Sequence, residues 1–141
     1  MKVEHILQSK GRDVVTIAAT AEVAEAVAVL SEKNIGAVVV KEGAVVVGIL
    51  SERDIVRRLK HDGADALVKI VRTYMTPNPV VCRPDHELDE ILEIMTRRRV
   101  RHLPVMRDGV LLGMVSIGDV VKRKIEIAEE EARALKDYIA S

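Results

Sequence analysis

Apolar and polar positions follow two periods along this chain, and the succession of periods runs twice. Val14-Val15-Thr16-Ile17 is a β-branched run of strand character, with Thr20 placed after it as an N-cap. Val23, Ala26, Val27 and Leu30 then recur at i, i+3, i+4 and i+7, the stripe of a helix buried on one side. Ile35 to Val40 and Val45 to Leu50 are apolar runs of strand length around the turn pair Glu42-Gly43. The same order returns 65 residues on: Val80-Val81-Cys82, the N-cap Asp85, the stripe Leu88, Ile91, Leu92, Met95, then Val100 to Val105 and Val110 to Val115, with the turn pair Asp108-Gly109 between them one residue further along than its counterpart. Gly48-Ile49-Leu50-Ser51-Glu52-Arg53-Asp54 and Gly113-Met114-Val115-Ser116-Ile117-Gly118-Asp119 end the two successions, each running from a strand into a further helical stretch. The pattern predicts a β-α-β-β-α unit, twice. Neither unit is large enough to bury its own apolar faces, so the two are expected to pack about a pseudo-twofold axis as an α/β (α+β) fold.

Shorter signals set the boundaries. Val3, Ile6 and Leu7, and again Val71, Tyr74 and Met75, have the spacing of short lead-in helices ahead of each unit. The loop after Leu7 is three residues longer than Thr76-Pro77-Asn78-Pro79 after Met75. Lys60-His61-Asp62-Gly63-Ala64-Asp65 is the expected inter-repeat linker, with helix resuming at Leu67, Ile70 and Val71. The division expected is therefore residues 1–64, residues 65–124 and a C-terminal amphipathic helix over 125–141. Along that helix Val121, Ile125, Ala128, Ala132, Leu135 and Ile139 alternate steps of four and three, a seam that wants a partner. A homodimer contact is the expectation, with Glu129, Arg133 and Asp137 supporting the exposed side.

Composition narrows the classes. The 141 residues suit one domain, formal net charge is zero, and Tyr74 and Tyr138 are the only aromatic side chains. A chain with neither a basic field nor stacking platforms is a poor nucleic-acid binder. No apolar run approaches the roughly 20 residues that span a bilayer, and a single Cys82 forms no intramolecular disulfide. Without an apolar leader at the N-terminus, the cytoplasm is the expected compartment. Cys82 lies in a strand and reads as a buried small side chain. Asp85-His86-Glu87 reads as a solvated first turn, since sequence neighbours on a helix start point different ways. Arg97, Arg98, Arg99 and Arg101 read mostly as a solvated helix end.

The candidate chemistry sits at the two strand-to-helix junctions. Such a junction presents backbone N–H groups and the positive end of the helix dipole, which suits phosphate or ribose oxygens. Ser-x-x-Asp is equally a capping-box variant, in which the serine caps the helix and the acid reaches back to the serine amide. Both readings stand on the motif alone.

The two Gly-h-h-Ser-x-x-Asp strings, Met75-Thr76-Pro77 before the second unit and His102-Leu103-Pro104-Val105 within it resemble a tandem pair of CBS domains forming one Bateman module, of the small stand-alone kind. The resemblance implies a non-catalytic regulatory module whose clefts hold adenosine-containing ligands such as AMP, ADP, ATP, NAD or S-adenosylmethionine, with no metal and no catalytic cofactor. It further implies a homodimer and a regulated partner protein. Carried over by position, one cleft combines Ser51, Arg53 and Asp54 with Thr76, Val80, Arg101 and His102. The other combines Ser116, Gly118 and Asp119 with Val15, Gly36 and Ala37. The carboxylates would accept from the vicinal ribose hydroxyls while apolar strand residues sandwich the base. Arg53 and Arg101 stand where the second cleft has Gly118 and Gly36, so the first is expected to take the more phosphorylated ligand. A ligand-independent dimeric interaction module is the alternative, and an enzyme lacks a nucleophile paired to a base.

Overall fold

The computed structural model describes residues 1–141. Its elements are α1 (Val3–Lys10), β1 (Thr16–Ala18), α2 (Val23–Lys33), β2 (Ala37–Glu42), β3 (Val45–Ser51), α3 (Glu52–Asp62), a 3-10 segment (Gly63–Val68), α4 (Val71–Tyr74), β4 (Thr76–Pro77), α5 (Leu88–Arg98), β5 (His102–Arg107), β6 (Val110–Ser116) and α6 (Ile117–Ala140). One sheet has the order β1-β2-β3-β4, with β1 parallel to β2 and the other pairs antiparallel; β5 and β6 form the second.

The two hairpins repeat residue by residue. Val38 faces Leu50 as Leu103 faces Val115, and both hairpins carry a register irregularity at the same place, Val40/Lys41 and Val105/Met106. The strand expected over Val80-Val81-Cys82 is reduced to one parallel bridge, Cys82 to Val105, held by Cys82 N–H to Pro104 O at 2.9 Å and Met106 N–H to Cys82 O at 2.8 Å. Cys82 is buried, and desolvation pushes its thiol up to about 12.

The helices after these strands start two residues later than the local signals indicate: the caps are Glu22 and Glu87, not Thr20 and Asp85. Pairing with distant backbone explains the shift. Val23 N–H donates to Lys69 O and Val71 N–H to Ala21 O, both at 2.8 Å; Val3 N–H donates to His86 O and Leu88 N–H to Met1 O, both at 3.0 Å. Each lead-in segment thus zips onto the residues before a helix that lies far off in sequence.

That zipper crosses the halves over. Val3, Ile6 and Leu7 of α1 are buried among Leu88, Ile91, Met95, Leu103, Val105, Val115 and Val120, whereas Val71 and Tyr74 of α4 are buried with Val23, Ala26, Leu30, Val38, Val40 and Leu50. Boundaries at 64/65 and 124/125 divide the chain by sequence; the two cores divide it otherwise, each lead-in serving the repeat that does not follow it. Each fully buried Val, Leu or Ile contributes roughly 1.5–3 kcal/mol, so the crossing is a substantial part of what joins the halves.

The linker is also ordered. α3 runs to Asp62, a 3-10 segment continues to Val68, and Ala66 enters the first core. The Tyr74 hydroxyl donates to Asp62, and the Arg58 guanidinium lies 5.3 Å from the Tyr74 ring centre. The C-terminal helix is continuous from Ile117 to Ala140, with Ile127 packed against the second core; no helix is long and apolar enough to cross a membrane.

Candidate functional site

Both strand-to-helix junctions close as full capping boxes. Ser51 N–H and Oγ donate to Asp54 Oδ2 at 3.0 and 2.9 Å, and Asp54 N–H returns to Ser51 Oγ at 3.2 Å. Ser116 N–H donates to Asp119 Oδ2 at 2.8 Å, and Asp119 N–H to Ser116 Oγ at 3.1 Å. The first amide of each helix is taken by the other strand of its hairpin: Glu52 N–H by Gly36 O at 2.9 Å, Ile117 N–H by Arg101 O at 2.8 Å. The amides between, of Arg53 and Gly118, have no such partner. The junctions therefore cap their helices and still leave one amide and one carboxylate oxygen, Oδ1, uncommitted.

A cavity of about 500 Å³ lies between the repeats. Such a volume accommodates a nucleotide-sized molecule. Ser51, Glu52, Arg53, Asp54 and Arg57 come from the first junction and α3, Thr76, Asn78, Pro79 and Val80 from the segment after α4, and Arg99, Val100, Arg101 and His102 from the entry to β5. Gly36 and Ile49 line it from the first repeat, and Ser116, Ile117 and Gly118 from the second. Its apolar lining is Ile49, Pro79, Val80, Val100 and Ile117, and its charged lining is four arginines, Arg53, Arg57, Arg99 and Arg101, with two carboxylates, Glu52 and Asp54.

All the residues expected in the first cleft, Ser51, Arg53, Asp54, Thr76, Val80, Arg101 and His102, meet in this one cavity. Of the second set, Gly36, Ser116 and Gly118 line the same cavity; Val15, Ala37 and Asp119 do not. Ala37 is sealed in the sheet at 1% exposure, Val15 packs on the first core, and the Asp119 carboxylate pairs with Lys10 at 2.6 Å.

Gly36 sits where its counterpart is Arg101 for a visible reason. A Cβ at Gly36 would lie 3.3 Å from the His102 ring, so the imidazole occupies the space a side chain would need. His102 is half-buried and its pKa is lowered, first by desolvation and then by Lys10 and Arg101, against the opposing pull of Asp119 and Glu52. It stays neutral near pH 7 and offers a ring face and one N–H.

Of the cavity's lining, the expected cleft sets omitted Arg99, Asn78 and Pro79, and also Ile49, Glu52, Val100 and Ile117. Arg99 ends α5 in the left-handed region (φ 56°), as Asn34 ends α2 (φ 53°); asparagine tolerates that conformation, and the arginine held there lines the cavity. The basic run was the available signal, since Arg97 pairs outward with Glu93 while Arg99 and Arg101 turn inward. The Asp85-His86-Glu87 trio disperses as expected: Asp85 to Arg83, His86 Nδ1 accepting from Arg83 N–H, and Glu87 to the chain's N-terminal ammonium.

Two repeats of β-α-β-β-α plan around a shared inter-repeat cavity define a paired-repeat module with the outline of a small-molecule binder. The family model described as CBS domain matches residues 3–61 and 71–126, and the chain belongs to the CBS-domain family. It is 36% identical over 120 residues to the CBS domain-containing protein CBSX3, mitochondrial, of Arabidopsis thaliana, covering 82% of this chain and 58% of that protein. The structure of the CBS-domain containing protein ATU1752 from Agrobacterium tumefaciens superposes with a TM-score of 0.86 at 44% identity, covering 88% of this chain and 99% of that one. Two more distant structures share the fold: the CBS domain protein PAE2072 from Pyrobaculum aerophilum complexed with AMP (TM-score 0.75, 24% identity, 84% of this chain and 89% of that one) and the CBS domain pair of protein MJ0100 in complex with 5'-methylthioadenosine and S-adenosyl-L-methionine (0.76, 23%, 86% and 94%).

Proposed function

We propose that this chain is a non-catalytic regulatory module that binds an adenosine phosphate, of the AMP, ADP, ATP or NAD class, in the inter-repeat cavity. The observation that carries the proposal is the pairing, within one cavity, of an uncommitted Asp54 carboxylate oxygen with four arginines. Asp54 accepts from the ribose diol, the apolar lining takes the base, and Arg53, Arg57, Arg99 and Arg101 meet the phosphates. The AMP and S-adenosylmethionine complexes of the two fold relatives support an adenosine ligand; the four arginines favour phosphate over a sulfonium.

A cytoplasmic homodimer is part of the proposal. Val56 and Leu59 on α3, and Val121, Ile125, Leu135 and Ile139 on α6, are exposed apolar side chains in a single chain. Ligand-dependent change of the angle between repeats or subunits would alter binding of a regulated protein, provided the ligand prefers one arrangement. The exposed seam is also what favours the second reading, a dimeric interaction module indifferent to ligand.

A thermal-shift series with AMP, ADP, ATP, NAD, NADH and S-adenosylmethionine separates them. A ligand present at 100 times its Kd stabilises by about 2.7 kcal/mol, on the order of 5–10 °C in a domain of this size. We expect a subset to do so, with the effect lost in Asp54→Ala, and Arg53→Ala to weaken ATP about tenfold more than AMP. Nucleotide-free protein that none of these ligands stabilises favours the interaction module. ATP affinity unchanged in Arg53→Ala and abolished in Asp119→Ala overturns the assignment of the cleft.

A further inference from the structure

The two halves differ in the segment that leads into each sheet. Leu7 and Met75 hold equivalent places, each packed against the glycine of a strand, Gly113 or Gly48. After Met75, Pro77 lacks an amide donor and keeps Thr76 extended, so the chain leaves α4 and pairs with β3. After Leu7 the residues Gln8, Ser9 and Lys10 include no proline. Helix α1 therefore continues to Lys10, where the Gly11 amide closes on Leu7 O at 2.8 Å. The added turn delivers the Lys10 ammonium to Met114 O at 2.8 Å and to Asp119 Oδ2 at 2.6 Å.

We propose that Lys10 is an internal counter-ion that closes the second cleft, so that each chain holds one adenosine ligand, at Asp54, and not two. The inference rests on the nucleotide-binding reading above. Asp54 and Asp119 are equivalent in every bond of their capping boxes except the Ser51 hydroxyl contact, and they differ in that only Asp119 carries a cation. A ribose diol brings neutral donors, and at Asp119 it meets a carboxylate whose charge Lys10 already partners through Oδ2, whereas the Asp54 charge has no cation bound to it. Burial pushes the Asp119 carboxyl up, yet hydrogen bonds from Lys10 and Ser116 outweigh it and hold the group below the ordinary carboxylate range. At the second junction Gly118 stands where the first has Arg53, and Gly36 where the other repeat has Arg101, so Asp119 is offered no arginine from either position to hold a phosphate beside it.

Isothermal titration calorimetry with AMP and with ATP counts the sites. The wild type is expected to bind one ligand per chain, lost in Asp54→Ala and kept in Asp119→Ala. Lys10→Met is expected to bind two, the second lost again in Lys10→Met with Asp119→Ala, while Lys10→Arg keeps one. Lys10 is exposed, so these variants should fold, and circular dichroism checks it. Two ligands on the wild type, one ligand on Lys10→Met, or a single wild-type site lost with Asp119 rather than Asp54, each overturns the closure and leaves nucleotide binding standing. No AMP or ATP bound by wild type or Lys10→Met overturns both.

Discussion

Asp119 is held by an ammonium and His102 is kept neutral by burial, and each makes stability fall in acid. The folded pKa of Asp119 lies below its ordinary 3.8, so its contribution is present above that value and disappears as pH falls through the folded pKa. The folded pKa of His102 lies below 6.5 because desolvation disfavours the imidazolium; its neutral form is the one the fold accepts, so that contribution is present above 6.5 and declines as pH drops through the folded value. Melting temperature followed against pH should therefore be level from 6.5 to 9.0, fall in two stages below that range, and fall again above 9.0, where the Cys82 thiol ionises in the unfolded chain but stays protonated in the folded one. His102→Asn is expected to flatten the first stage and Lys10→Met to reduce the second, to which Asp85 and Asp89, lowered by Arg83 and Lys124, also contribute. Glycines give a sharper steric test. A Cβ at Gly48 would lie 2.8 Å from the Thr76 carbonyl oxygen, which is backbone in a paired strand, whereas at Gly36 it would meet side chains, the His102 ring at 3.3 Å and Glu52 Oε1 at 3.7 Å. Urea unfolding should show Gly48→Ala costing about 1–3 kcal/mol and Gly36→Ala distinctly less.

Among the elements, α1 has the least expected role. It precedes the first repeat in sequence and completes the core of the second, with Val3, Ile6 and Leu7 all buried there. Removing residues 1–10 should raise hydrogen exchange in β5 and β6 far more than in β2 and β3; equal deprotection of both hairpins would contradict the separate cores. α6 divides into two parts along its length. Val120 and Ile127 anchor its first turns on the second core, while residues 128–140 are exposed throughout. Truncation after Ile127 should consequently leave the melting temperature of dilute protein nearly unchanged.

For the whole molecule, the exposed apolar faces of α3 and α6 are the surfaces on which a second copy would be held. Light scattering on size-exclusion fractions should show Ile125→Glu and Leu135→Glu shifting a dimer toward monomer, with far-UV circular dichroism unchanged. A wild type that is monomeric at micromolar concentration would contradict the dimer. Within one chain, the inter-repeat cavity is built from the first junction, the segment after α4 and the entry to β5. No single repeat contains it, which is why a ligand there would report on the angle between repeats.

How much of this was legible in the chain depends on the range of the interactions concerned. The paired hairpins, the helix stripes and both Ser-x-x-Asp capping boxes follow from periods of 2 and 3.6 and from contacts within a few residues, and the 65-residue repeat of Gly-h-h-Ser-x-x-Asp carried them twice. The first-cleft set came from the resemblance to the CBS family carried over by position, and its seven residues line one cavity. What the tertiary structure alone decided is long-range. Helices α2 and α5 begin at Val23 and Leu88 because backbone far off in sequence takes the preceding amides and carbonyls, and α1 crosses to the opposite core because its three buried side chains complete that core. Lys10 meets Asp119 across 109 residues because no proline ends α1 early. Local periodicity specifies which face of an element is apolar; which other face covers it, and which charges then meet, is settled only when the two halves pack.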